Sequence, residues 1–427
     1  MSHYPSISPT MSDHSSELIF PNIRKICFFL SVFIILSVMI AEAYGSIFLY
    51  LVLLVMIGIF AAWPRLLLKT AISRGVWYLW LVPGFATASS IWSSVPLDTL
   101  RAGLQLGLTT LMGLLLAWLV RPKDFIYALA TASTIIVILS LLKNNYVIDG
   151  MTSTVNWSGL FANKNTMCYT GAYLALCCVA LAISPKSPPA ARGMAALGVV
   201  LAYIICFRAR SVATILAMTI AMGLIVFAHS ASSVSRTARA HYVEIASIVL
   251  LILGTLATIV VLRYSNELLA LVNKDPTLTG RTVLWFWAGR VIPDAVWLGH
   301  GYAGFWVQGR PMAEFLWHLL HIASRMGFHF HNLFIETWVE LGVTGLSLTV
   351  FTIVVTVVRS YRRLRAAPDA VTGFGLALVV MALITQTQDV QLFGVFNPMF
   401  LIFVALAAYA HPRPKLVVPA RDRILSW

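Results

Sequence analysis

The sequence predicts an all-α polytopic membrane protein of about twelve transmembrane helices, interrupted once by a large polar loop. Three observations carry that prediction. Of the 427 residues, 59% are hydrophobic and only 11% charged, against about 25% charged in soluble domains. The apolar residues fall in long runs, and a bilayer-spanning helix needs about 20 of them. Positive residues gather in short loops between the runs, as the positive-inside bias requires. The formal charge of +14 is thus distributed for a membrane rather than for nucleic acid.

Taken in order, a polar, Ser-rich tail over 1–23 precedes the first run. No small-residue cleavage site follows that run, so the first span is expected to remain uncleaved. Spans are expected near 25–42, 46–63, 76–92, 100–120, 125–142, 160–183, 194–208, 211–229, 245–262, 333–358, 372–388 and 392–410. The third is interrupted by Pro83-Gly84 and the seventh is short. Nine spans therefore occupy 24–262, the large loop 263–332, three further spans 333–410, and a second tail 411–427.

Charge supplies an orientation. With a cytoplasmic N-terminus, the inside loops hold Arg24/Lys25, Arg65/Lys69/Arg74, Arg121/Lys123, Lys186/Arg192, Arg236/Arg239 and Arg359/Arg362/Arg363/Arg365. Arg413, Lys415, Arg421 and Arg423 follow in the tail, and together these make up most of the 30 Lys and Arg. An even number of spans returns both termini to the cytoplasm and places the large loop on the opposite face. The five cysteines, Cys27, Cys168, Cys177, Cys178 and Cys206, lie in or beside apolar runs without CxxC spacing. Neither a disulfide framework nor a zinc site is indicated. No repeat and no second domain is evident, so any chemistry must take place at the membrane surface.

Basic residues kept outside against the bias need a local reason, such as an anionic ligand. They include Arg101, Lys164, Arg208, Arg210, Arg263, Arg281, Arg290 and Arg325. Arg208 and Arg210 occupy a tight turn between two runs, where phosphate binding competes with interfacial snorkelling. Lys164, in Gly159-Leu160-Phe161-Ala162-Asn163-Lys164-Asn165, is a second phosphate contact or an interface anchor. Arginine suits pyrophosphate because its planar fork donates two parallel charged hydrogen bonds.

The loop is too rich in Trp, Phe and His for a disordered linker. It ends at His331-Asn332, where a helix beginning would turn its free N–H groups toward an anion. A histidine there titrates near neutral pH and suits a general base. His318 and His321 fall in Pro311–Met326, expected to be an amphipathic helix on the bilayer surface with Phe315, Leu316, Leu319 and Leu320 on its apolar side. Together with His329 and His331 these histidines match no HExxH spacing, so no metal is indicated. Trp285, Phe286, Trp287, Trp297, Phe305, Trp306 and Trp317 form an interfacial aromatic belt or stack on sugar rings. Gly299-His300-Gly301 lacks the Gly-Lys-Ser/Thr ending of a phosphate loop. Asp389, after Gln386-Thr387-Gln388, orients a base or a sugar hydroxyl, or is a solvated loop acid.

These motifs together resemble the O-antigen ligase and polysaccharide polymerase superfamily of bacterial envelope glycosyltransferases. The matching elements are Gly159-Leu160-Phe161 with Lys164-Asn165, Arg210-Ser211, Gly280-Arg281 with Trp285, Gly299-His300-Gly301-Tyr302 with Phe305-Trp306, and His331-Asn332 leading to Glu340-Leu341-Gly342. The likeness runs from the third span onward and is nearest to the exopolysaccharide-production polymerase branch, with His300 before Gly301-Tyr302 a small departure. The resemblance implies a GT-C-like, metal-independent inverting glycosyltransferase of the bacterial inner membrane that needs no cofactor. It implies an undecaprenyl-pyrophosphate-linked oligosaccharide as donor at the periplasmic face. His331 would deprotonate the acceptor hydroxyl, and Arg210 and Arg281, with Arg208 and Lys164, would hold the pyrophosphate. Asn332, Trp306 and Asp389 would be sugar or acceptor contacts. A chain-length regulator and export machinery would be further partners, beside membrane lipid.

The expected function is polymerisation of lipid-linked repeats into exopolysaccharide. A ligase moving glycan onto lipid A core shares the chemistry and differs in acceptor. A transporter or flippase for the same lipid-linked sugars is the rival from another class, although the chain lacks the repeat symmetry usual there.

Overall fold

The computed structural model describes residues 21–411 apart from 46, 63–74, 149–154, 185–187, 236–237, 240, 246–279, 323–324 and 326. The ninth expected span beyond Ile245, the tails beyond 21–411, and Arg263 lie outside the described residues. Among the described residues the chain is all-α apart from one short hairpin. The helices are α1 (Pro21–Tyr44), α2 (Ile47–Ala62), α3 (Leu81–Ala88), α4 (Pro96–Leu119), α5 (Pro122–Lys143), α6 (Lys164–Ala182) and α7 (Pro189–Arg208). They continue as α8 (Val212–Ser232), α9 (Arg281–Val291), α10 (Pro311–Leu319), α11 (Leu333–Ala366), α12 (Ala370–Thr385) and α13 (Pro398–Tyr409). Strands β1 (Tyr146–Ile148) and β2 (Val155–Trp157) pair antiparallel, with Val147 opposite Asn156.

Local sequence sets the boundaries. Proline opens α4, α5, α7, α10 and α13 within the first turn, where its missing N–H has no helical acceptor to lose. Side chains of Asn163, Asn332, Asp369 and Asn397 cap α6, α11, α12 and α13. Seven helices among the described residues are long and apolar enough to cross a membrane: α1, α4, α5, α6, α7, α8 and α11. The seventh expected span proves longer than its apolar run, because Pro189 starts the helix five residues before 194. The third is broken into a 3-10 turn over Trp77–Trp80, α3, and a second 3-10 turn over Ser89–Ile91. Pro83 accounts for the break, since it fits the first turn of α3 but could not continue a helix begun at 76.

The core is built around α13, which is buried over nearly its whole length and packs against α4. A helix apolar on all faces belongs inside a bundle. Around it, α6 packs on α7, α8 on α12 and α6, and α5 on α1 and α6.

The bundle has two chemically distinct ends. At one, Arg24 pairs with Asp124, Arg359 donates to the Gly75 carbonyl, and Tyr409 donates to the Val120 carbonyl. At the other, Glu42 of α1 meets Thr166 of α6, Trp92 meets Leu298, Tyr302 meets Phe393, and Tyr169 meets Asp389. The loops that charge bias assigned to opposite faces thus segregate to opposite ends.

Candidate active site

The large loop is docked on the bundle through a break in α11. Gly342 adopts φ +66° and ψ −172°, a conformation essentially confined to glycine. The break frees backbone groups on either side of it, and the segment 296–301 takes them up. His300 and Gly301 amides donate to the Val339 and Glu340 carbonyls at 3.0 and 2.8 Å, and the Val343 amide donates to the Val296 carbonyl at 2.8 Å. Contact is backbone to backbone: a Cβ on Gly342 would fall 2.3 Å from the Trp297 carbonyl, and one on Gly299 2.3 Å from that of Glu340. The Gly299-His300-Gly301 motif is therefore a docking strap.

Inside the loop a separate apolar core forms from Leu284, Ala288, Phe305, Leu316, Phe330 and Val339. The expected aromatic belt divides. Phe305 and Trp317 are fully buried in or beside this core, and Trp306 packs on Phe305, Phe328 and Phe330, while Phe286 and Trp297 are exposed. The expected amphipathic helix over Pro311–Met326 is only α10, ending at Leu319, and His321 just beyond it has a left-handed φ of +55°. Its Leu316 faces the loop core instead of a bilayer surface.

The segment 329–332 is held by several backbone hydrogen bonds. The Phe330 amide donates to Glu336 Oε2 at 2.6 Å, and the Phe330 carbonyl accepts from Trp285 Nε1 at 2.9 Å. Glu336 Oε1 accepts from Trp306 Nε1 at 3.1 Å. The His331 amide donates to His329 Nδ1 at 3.1 Å, and His331 itself is left-handed at φ +53°. The expected free N–H groups at the start of α11 are not offered to an anion. Asn332 Oδ1 accepts those of Phe334 and Ile335, and the Leu333 amide donates to the Gln386 carbonyl. Asn332 is thus a helix cap.

Asp389 is fully buried, which excludes the solvated loop acid. His329 Nε2 lies 3.1 Å from its Oδ1, and the Val390 amide donates to the same oxygen at 2.9 Å. Tyr169 of α6 and Gln391 donate to Oδ2 at 3.1 and 3.2 Å. Burial works to raise the Asp389 pKa. The His329 hydrogen bond, the electrostatic contributions of the His329 and His331 rings, and the Val390 amide outweigh it and hold the carboxyl well below the usual range. His329, His331 and Asp389 bring three donor atoms within 4.8 Å of one another, a spacing a metal ion could use. Both ring nitrogens of His329 are already engaged by the protein, so a metal there would have to displace those bonds.

The basic residues fall into two groups. Arg208 Nη2 donates to Asn144 Oδ1 at 3.0 Å and to the Tyr146 hydroxyl at 3.1 Å, and its plane lies 4.7 Å over Trp157. The hairpin, which no sequence signal announced, therefore holds Arg208. Arg210 follows in a left-handed turn at φ +54°, and the next residue, Ser211, bonds Asn165 beside Lys164 in the first turn of α6. Arg281 opens α9, with Trp285 one turn later; residues i and i+4 share a helix face. Trp285 binds Phe330, so that face of α9 is the one turned to the 329–332 segment. A cavity at the opposite end of the bundle, lined by Pro122, Arg363, Phe374 and Tyr409, contains none of these residues.

Residues 197–350 match the family model described as O-antigen ligase, a window that holds Arg208, Arg210, Arg281, Trp306, His331 and Asn332. The resemblance to the O-antigen ligase and polysaccharide polymerase superfamily is borne out. Over 363 residues, covering 82% of this chain and 80% of the relative, the chain is 28% identical to the exopolysaccharide production protein ExoQ of Rhizobium meliloti (strain 1021). Lys164 and Asp389 lie outside the O-antigen ligase window.

Proposed function

We propose that the protein is a polymerase of lipid-linked oligosaccharide repeats, acting at the periplasmic face of the bacterial inner membrane to build exopolysaccharide. The loop-bearing end of the bundle is the periplasmic one, and both termini are cytoplasmic. The supporting observation is the clamp on residues 329–332, which fixes His331 beside the helix that begins at Arg281.

In this reading the donor is an undecaprenyl-pyrophosphate-linked glycan. His331 removes the proton from an acceptor sugar hydroxyl as its oxygen attacks the anomeric carbon from the face opposite the pyrophosphate. The anomeric carbon–oxygen bond breaks, undecaprenyl pyrophosphate leaves, and the configuration inverts. Arg281 and Arg210, with Lys164, meet the charge that develops on the leaving group. Preorganised cations in a water-poor site are worth several kcal/mol, about 3–4 for a single well-placed donor. Arg208, engaged by Asn144, Tyr146 and Trp157, contributes by fixing the turn that presents Arg210. No nucleotide, metal or other cofactor enters. A chain-length regulator and the export machinery are the partners such a product requires.

The test is polymerisation by the purified full-length protein given a lipid-linked repeat in chelator. The reading expects long glycan whose new linkage has the opposite anomeric configuration to the donor, and loss of product with His331→Ala and with Arg281→Ala. Retained configuration or dependence on an added metal would contradict it.

A further inference from the structure

We infer that His329 is a positioning residue for this reaction: its Nδ1 fixes the peptide that carries His331, and the buried carboxylate of Asp389 fixes His329. The inference rests on the reading of His331 as the base and adds how that base is aimed.

Three features carry it. His331 sits at a left-handed φ of +53°, a conformation uncommon outside glycine that needs a local support. The support at its amide is one side chain, His329, at 3.1 Å, with the two rings 4.3 Å apart at 69°. An N–H donor facing Nδ1 requires that nitrogen to be the acceptor, so the His329 proton lies on Nε2, pointed at Asp389 3.1 Å away. The opposite tautomer would set two N–H groups against each other at one end and a lone pair against a carboxylate at the other.

Asp389 is in turn buried and held by hydrogen bonds. Tyr169 from α6, Gln391 and the Val390 amide occupy its remaining sites. The bonds therefore run from the core helix α6, through the loop before α13, to the residue that presents His331. Plain packing would explain the buried Asp389 only by leaving both His329 nitrogens in complementary contacts by accident. The link acts through the backbone of His331, which separates it from a proton relay between rings.

Two amide substitutions divide the roles. In His329→Asn the side-chain oxygen stands near the place of Nδ1 and keeps the acceptor for the His331 amide. In His329→Gln the terminal amide reaches toward Asp389 and the acceptor is lost. Purified wild type, both variants and His331→Ala are assayed on a lipid-linked repeat, with melting temperature confirming the fold. Misplacing a reacting group by about 1 Å costs on the order of 100-fold. His329→Gln is accordingly expected to lower kcat about 100-fold with KM within about twofold, while His329→Asn stays within about tenfold of wild type. Wild-type kcat in His329→Gln, or equal losses in the two variants, would overturn the inference. Should His329→Gln fail to fold, Asp389→Asn decides: a kcat lowered about tenfold at unchanged KM supports it, and an unchanged kcat refutes it. Activity in His331→Ala would instead refute the base assignment, which keeps the two failures distinct.

Discussion

Trp285 donates its indole N–H to the carbonyl of Phe330 at 2.9 Å, across 45 residues of sequence. The bond joins the helix that starts at Arg281 to the residue before His331, so two side chains far apart in the chain share one frame. Replacing Trp285 by Phe keeps most of the apolar contact and removes the bond. A net hydrogen bond is worth about 1 kcal/mol. The expected result is a normal amount of folded protein with polymer formation lowered about fivefold, measured as kcat on a lipid-linked repeat.

Gly342 is the point at which the loop meets the bundle. Its φ of +66° and the 2.3 Å approach that a Cβ would make to the Trp297 backbone leave no relief by side-chain movement. Gly342→Ala should destabilise by more than about 2 kcal/mol, seen as loss of folded protein in membranes. Gly309→Ala is the control. It too has a positive φ, +81°, but nothing lies within 4 Å of its Cβ. Its cost should stay near the backbone term alone, about 1 kcal/mol.

His300 gives the loop a pH dependence. Burial first, and then the charge of Arg310, lower its pKa below the ordinary 6.5; Asp294 acts in the opposite sense. Arg310 Nη2 lies 2.7 Å from His300 Nδ1. The folded state thus favours neutral imidazole and binds fewer protons than the unfolded chain. The contribution is full above the unfolded value and is lost as pH falls through the folded one. The melting temperature should fall on acidification from about pH 7 to about pH 5, and fall less in His300→Gln.

The two arginines of the Phe207–Ser211 turn should separate on substitution. Arg208 donates to two groups and stacks on Trp157. Arg208→Lys loses the fork and the stacking, which is expected to cost about 1 kcal/mol of stability with polymerisation largely kept. Arg210→Lys should leave the melting temperature unchanged and lower kcat at least tenfold, because a point charge replaces a bidentate contact. The reverse ranking would reassign the pyrophosphate contact.

Much of this was legible in the sequence for physical reasons. Apolar runs gave the seven long apolar helices among the described residues, and charge bias the sorting of the loops to two ends, since apolarity and loop charge are properties of contiguous segments. His331-Asn332 was visible as a helix start because an Asn cap is local. The partnership of His329 with Asp389 was not, because it joins residues 60 positions apart whose placement depends on packing of α6 and α13. Glu336 was not singled out by any sequence pattern, yet it and Glu340 are both buried, and Glu336 holds Phe330 and Trp306. Nor did any pattern show that the glycines around His300 serve a strap, since the groups they approach belong to a break in α11.

Glycan analysis in a deletion strain tests most directly whether His331 and Arg281 perform glycan polymerisation. The strain is complemented with wild type, His331→Ala or Arg281→Ala, with membrane levels of each protein checked. The account expects high-molecular-weight polysaccharide to vanish with either variant while single lipid-linked repeats accumulate on the periplasmic side. Full-length lipid-linked polymer beside bare lipid A core would indicate a ligase, and repeats held on the cytoplasmic side a flippase. Normal polymer with both variants present in the membrane would contradict the account.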